Sequence, residues 1–187
     1  NPMGTMGIDL GSGDIGVLNY AYALEQLEAA FYIKVMESPY AGMPNNERDI
    51  LEEIRDHEIA HRDFFKAAIP SASRIPDLEV NFSSVNFNSR ESVLNTAKAF
   101  EDLGVSAYNG AGYLIENTAY LGIAGKIVSV EARHAAAIRD LLNAGSADYA
   151  GDDVVSAGGL DRQRVPSEVL SIAGAYIKTK VTANKLP

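Results

Sequence analysis

The 187-residue chain contains no cysteine and only three histidines, and its 25 Asp plus Glu outnumber 16 Lys plus Arg, for a formal net charge of −9. The missing cysteine excludes disulfide scaffolds, thiol catalysis, iron–sulfur clusters and zinc fingers, and leaves the redox compartment open. Any metal must therefore bind through oxygen and imidazole. The basic residues are few and unclustered, so the electrostatic footprint of a protein that neutralises nucleic-acid phosphates or anionic lipid is missing. Cations suit the sign of the charge better. Long apolar runs are lacking too: Glu, Asp or Gly interrupts each one well short of the roughly 20 residues that cross a bilayer, so no transmembrane span is expected.

What remains is an ordinary globular composition, 47% hydrophobic and 22% charged, in a chain long enough to bury about 70% of its unfolded surface. Four segments show helical periodicity. The first runs from about Ile15 to Glu37, with Leu18, Tyr22, Leu24, Leu27, Phe31, Tyr32 and Val35 spaced by three and four; Asp14 is the expected N-cap and Ser38-Pro39 the stop. The second covers about Asn46 to Ala68, capped by Asn45 or Asn46 and stopped before Pro70. From Ile69 to Ser89 the period is lost, and Leu78, Val80, Phe82, Val85 and Phe87 alternate like short extended pieces. The third helix spans about Glu91 to Asn109 and the fourth about Tyr120 to Asn143, with Gly145 as its C-cap. An acidic, Gly-rich loop and a short helix from about Ser167 to Lys180 follow.

Two helix pairs joined by a crossover of some 20 residues predict an all-α four-helix bundle with one long crossover. The expected layout is an extension over residues 1–13, the bundle over 14–145 with its crossover at about 69–89, and a C-terminal extension over 146–187 packed on the bundle.

Polar residues interrupt the apolar stripes. Glu25 sits among Leu18, Ala21, Ala29 and Tyr32 in the first helix, and Glu101 among Leu94, Ala97, Gly104 and Tyr108 in the third. The second helix places Glu58 and His61 in mid-stripe, and the fourth places Glu131 and His134 there. Both of these pairs are Glu-x-x-His, a spacing that puts the two side chains on one helix face. Depths agree as well: Glu25 lies about 12 residues before its turn and Glu58 about 12 after, each about 18 Å along an antiparallel hairpin. With 13 Glu in 187 positions, roughly 7% of histidines would carry Glu three residues earlier by chance, so two of three is about a one-in-seventy event.

Four carboxylates in a bundle core are prohibitively costly if ionised and unpaired. Two divalent cations would neutralise them, and one Glu from each of two helices plus Glu-x-x-His from each of the others is the donor set of a carboxylate-bridged pair of iron or manganese ions. The expected ligands are Glu25, Glu58, His61, Glu101, Glu131 and His134. Tyr32 and Tyr108 each lie seven residues after a ligand Glu, read as core aromatics that could also hydrogen-bond it or be oxidised. His57, one turn before His61, is read as structural, with a supporting or proton-relay role as the alternative. Glu28, Glu52, Glu53 and Glu116 are read as solvated faces, Glu28 being close enough to Glu25 to serve as an alternate ligand.

The stretches Val17 to Tyr32, His57 to Phe65, Ala99 to Tyr108 and Ile127 to Ala136 together resemble the ferritin-like superfamily, in particular the ferritin-like domain proteins of the desiccation-related type. The resemblance implies a di-iron or di-manganese centre on the same six residues and is silent about the last 40. It also implies export, with Asn1 as the start of a mature secreted or periplasmic chain. The expected function is oxidoreductase chemistry on peroxide, dioxygen or ferrous iron in stress protection, catalase- or ferroxidase-like. The alternatives are a metal-sequestering protein without turnover, or a structural protein forming homo-oligomers through its crossover and C-terminal segment.

Overall fold

The computed structural model describes residues 7–187. Residues 1–6, with Asn1 and the first part of the expected N-terminal extension, lie outside the described residues. The elements run β1 (Ile8–Asp9), α1 (Gly13–Glu37), α2 (Asn45–Ala68), α3 (Arg90–Ala111), α4 (Thr118–Leu142), α5 (Pro166–Ala173) and β2 (Val181–Thr182), with 3-10 turns at Gly112–Leu114, Ala147–Ala150 and Gly174–Tyr176. The fold is an all-α four-helix bundle with one long crossover, in which α1 packs along α2 and α3 along α4. No helix of the described residues is long and apolar enough to cross a membrane.

Helix α1 is buried nearly all round, at 17 of its 25 positions, although its sequence includes Asn19 and Gln26. These two polar residues are seven apart and share a face, and each fastens the crossover to the bundle. Asn19 accepts from the Ile75 amide and donates to the Leu10 and Ser73 carbonyls. Gln26 accepts from the Leu78 amide and donates to the Pro76 carbonyl. Their burial is tolerated because the amides are satisfied.

The alternation seen in the crossover has a packing cause. Phe82 and Phe87 fold back onto Phe31 of α1, and Phe31 meets Phe100 of α3 edge to face at 5.1 Å. Val80 makes a single antiparallel bridge to Ile177, and no strand forms between residues 78 and 87. These side chains pack, half-buried, against the chain's own core.

The C-terminal segment is anchored by charge. Arg139 of α4, 3% exposed, bonds Asp102 of α3, Asp153 and the Asp148 carbonyl. Further on, the Arg164 backbone runs so close to α3 that a Cβ at Gly110 would lie 2.0 Å from the Arg164 carbonyl oxygen. β2 then pairs in parallel with β1.

Helix ends differ from expectation. α1 starts one residue before Asp14, after Ser12. Asp14 instead accepts from the Glu116 and Asn117 amides and holds the approach to α4, which Asn117 caps. α2 follows Pro44 without a side-chain cap, because Pro44 sets the extended entry and both asparagines fall inside the helix. α4 stops at Leu142 with Asn143 as its cap, and Gly145 serves the next turn at φ +70°. The last helix ends at Ala173, giving way to a 3-10 turn and then β2.

Candidate metal centre

One layer of the bundle interior holds Glu25 from α1, Glu58 and His61 from α2, Glu101 from α3, and Glu131 and His134 from α4. The four carboxylates are fully buried. They fall into two groups whose donor atoms lie within 4.8 Å of one another: Glu25, Glu58, His61 and Glu131, and then Glu58, Glu101, Glu131 and His134. Glu58 and Glu131 belong to both.

The geometry is crossed. His61 Nδ1 of α2 lies 2.8 Å from Glu131 Oε1 of α4 and 3.6 Å from Glu25 Oε2. His134 Nδ1 of α4 lies 2.8 Å from Glu58 Oε1 of α2 and 3.5 Å from Glu101 Oε2. The tyrosines obey the same exchange: Tyr32 of α1 donates to Glu101 Oε1 at 2.5 Å, and Tyr108 of α3 donates to Glu25. Each tyrosine thus serves the acid of the opposite helix, not the one seven residues before it, because the i, i+7 partner lies two turns away along the axis.

Fit to a cation follows from what the inward atoms lack. Glu25 Oε2, both oxygens of Glu58 and Glu131, Glu101 Oε2 and the Nδ1 atoms of both histidines are buried without a directed hydrogen bond, each Nδ1 having only a charge contact to a carboxylate oxygen at 2.8 Å. So many orphaned donors and acceptors would be very costly in a finished core. Glu47, also buried, shows the ordinary solution, since Arg90 and Tyr40 satisfy its carboxylate. Oxygen and imidazole in overlapping sets of four are a donor chemistry for first-row divalent ions.

Protons take the cationic role in the metal-free state. Burial, then the Glu131 charge, pushes the Glu25 carboxyl up, and burial, then the Glu131 and Glu25 charges, does the same to Glu58. Glu101 is raised to about 7 by burial, partly offset by the His134 imidazole. Burial acts to lower both histidines, but neighbouring carboxylates outweigh it and bring His61 to about 9 and His134 to about 10. Glu131, which burial alone would raise, is drawn down to about 2 by those two imidazoles.

One residue takes a place other than that expected, and another takes the supporting place given as its alternative. Glu28 is 3% exposed, with both oxygens lacking a partner, so it is no solvated face. The available signal was its i+3 spacing from Glu25, which keeps both acids on one side of α1. His57 contacts the layer from outside: its Nδ1 lies 2.9 Å from His134 Nε2. Glu52, Glu53 and Glu116 are exposed as expected. On the Glu25 side, Tyr108 also borders an apolar cavity of about 20 Å³ lined by Leu24, Phe65, Ala107 and Ala124.

A family model described as a ferritin-like domain matches residues 13–144, the span from the first residue of α1 to just beyond α4. No curated protein matches the chain.

Proposed function

We propose, from the premise that the chain belongs to the ferritin-like domain family, that this layer holds two iron or manganese ions and that the protein is an oxidoreductase acting on dioxygen, peroxide or ferrous iron. The observation that carries the proposal is the pair of overlapping four-residue groups sharing Glu58 and Glu131, with their inward atoms unpartnered. In this reading Glu25 and His61 would hold one ion and Glu101 and His134 the other, with Glu58 and Glu131 available to both. Bound there, the ions would supply one- and two-electron exchange with dioxygen or peroxide.

The chain's own residues supply the rest. Tyr32 and Tyr108 orient Glu101 and Glu25, leaving the other oxygen of each carboxylate facing inward. Full burial of the acids keeps bulk water off the layer, which strengthens every electrostatic contact within it. The small apolar cavity against Tyr108 suits a diatomic more than a bulky substrate. On the resemblance to the desiccation-related type, the proposal extends to stress protection by an exported protein.

Metal analysis of the isolated protein, with ferrous-oxidation and peroxide-disproportionation assays on wild type and Glu101→Ala, tests the reading. Near-stoichiometric ions with turnover lost in the variant are expected, ferrous oxidation marking iron and catalase activity marking manganese. Protein without bound ions, even after reconstitution, would refute it. Two ions without turnover would leave sequestration as the function.

A further inference from the structure

We infer that His57 is a positioning residue for the His134 half of the centre, and that the two halves consequently hold their ions with unequal strength. The inference rests on the di-metal reading above. An imidazole that offers one nitrogen to a cation must carry its proton on the other, and the partner of that N–H fixes both tautomer and ring rotation. His134 directs Nδ1 at Glu58, Glu101 and Glu131, and its Nε2 lies 2.9 Å from His57 Nδ1. The two rings are within 9° of parallel with centroids 5.2 Å apart, the arrangement of rings meeting edge to edge through a nitrogen–nitrogen hydrogen bond.

The proton positions are then determined step by step. His134 Nε2–H donates outward, so His57 Nδ1 accepts and the His57 proton sits on Nε2. That Nε2 is 3.3 Å from a carboxylate oxygen of the exposed Glu53. Once an ion takes the place of the inward proton, every donor of this chain points away from the layer and the Nδ1 lone pair of His134 faces in.

His61 has no such support: among the described residues, nothing accepts a hydrogen bond from its Nε2, and its side chain is 12% exposed against 5% for His134. The sequence shows where the likeness between the halves breaks. His57-Glu58-x-x-His61 of α2 corresponds to Val130-Glu131-x-x-His134 of α4, and a valine cannot accept a proton. The His134 half therefore arrives pre-oriented, while the His61 half must fix its imidazole when the ion binds.

Titration of the metal-free full-length protein with Co(II), followed by absorbance and calorimetry, tests this without turnover. Wild type is expected to bind in two resolved steps, the tighter abolished by Glu101→Ala and the weaker by Glu25→Ala. His57→Ala should weaken the tighter step by about 10–100-fold and leave the weaker one unchanged. His57→Asn, which keeps an acceptor near the position of Nδ1, should restore most of the loss, and ¹⁵N spectra of protein loaded with a diamagnetic divalent ion should show the His134 proton on Nε2 in wild type and in that variant. Two equal steps in wild type, an unaffected tighter step in His57→Ala, or no rescue by asparagine would each overturn the inference while leaving the di-metal reading standing. No Co(II) bound by wild type at all would overturn the di-metal reading itself, and this inference with it.

Discussion

The Tyr32 hydroxyl of α1 donates to Glu101 of α3 at 2.5 Å, across the bundle from the acid of its own helix, and Tyr108 returns the contact from α3 to Glu25 of α1. The two bonds cross-link the only acids that α1 and α3 contribute to the candidate ligand set. Removing either hydroxyl leaves a buried carboxyl oxygen unmet, a loss of about 1.5–3 kcal/mol where the acceptor is charged and less where it is protonated. Tyr32→Phe and Tyr108→Phe should therefore each lower the unfolding free energy of the metal-free protein by about 1–2 kcal/mol in urea titrations. Unchanged midpoints would reduce both tyrosines to packing.

Sharing of acids between the two halves predicts a stoichiometry. Glu131 belongs to both donor groups and Glu25 to only one. Glu131→Ala should accordingly lose both ions, whereas Glu25→Ala should retain about one per chain on the intact Glu58, Glu101, Glu131 and His134 set. Elemental analysis after reconstitution distinguishes them, and equal losses in the two variants would contradict the bridging role.

Stability of the metal-free protein should fall as pH rises. Glu25, Glu28 and Glu58 are shifted up and Glu101 stands at about 7, so the folded state keeps protons that the unfolded chain releases from its ordinary value of 4.5. The folded state thus binds more protons above that point, and the slope of stability against pH is negative. His61 and His134, at about 9 and about 10, add stability that is complete below 6.5 and lost as pH passes through those values. Glu131, at about 2, acts oppositely and only in acid. Ions displace these protons, so the gap in melting temperature between loaded and metal-free protein should widen from about pH 5 to about pH 9. A constant gap would mean that ions and protons do not compete for the layer.

The bundle was legible because its signals are local and redundant. Four periodic stripes with matched depths predict four helices within two residues of their observed ends, and carboxylates in mid-stripe predict which side chains meet. Helix caps were less legible: Asp14 has the chemistry of an N-cap, but the two amides it satisfies belong to residues 116 and 117, a contact that exists only after folding. Glu28 departs from its solvated-face reading because it turns toward α3, where Gly104 leaves room for a buried acid, and no spacing along α1 encodes that neighbour. The His57 to His134 contact is between α2 and α4, and no spacing along the chain encodes it. Arg90 of α3 with Glu47 of α2 is another contact that only the folded bundle makes.

Glu28 and Gly104 form the last testable pair. In the exchange that relates α1 to α3, Glu25-x-x-Glu28 corresponds to Glu101-x-x-Gly104, so an acid on one helix faces a missing side chain on the other. A Cβ at Gly104 would lie 3.0 Å from Glu28 Oε1 and 3.4 Å from Oε2. Alanine inside a helix is ordinarily better than glycine by about 0.5–1 kcal/mol, but crowding a packed core costs about 1–3 kcal/mol. With Glu28 in place the second effect should win, and Gly104→Ala should lower stability. Once Glu28→Ala has removed the obstacle, the same substitution should raise it. A double-mutant cycle measured by denaturant unfolding reads the coupling directly. A Gly104→Ala effect of the same sign and size in both backgrounds would show that the glycine is not there to make room for the acid.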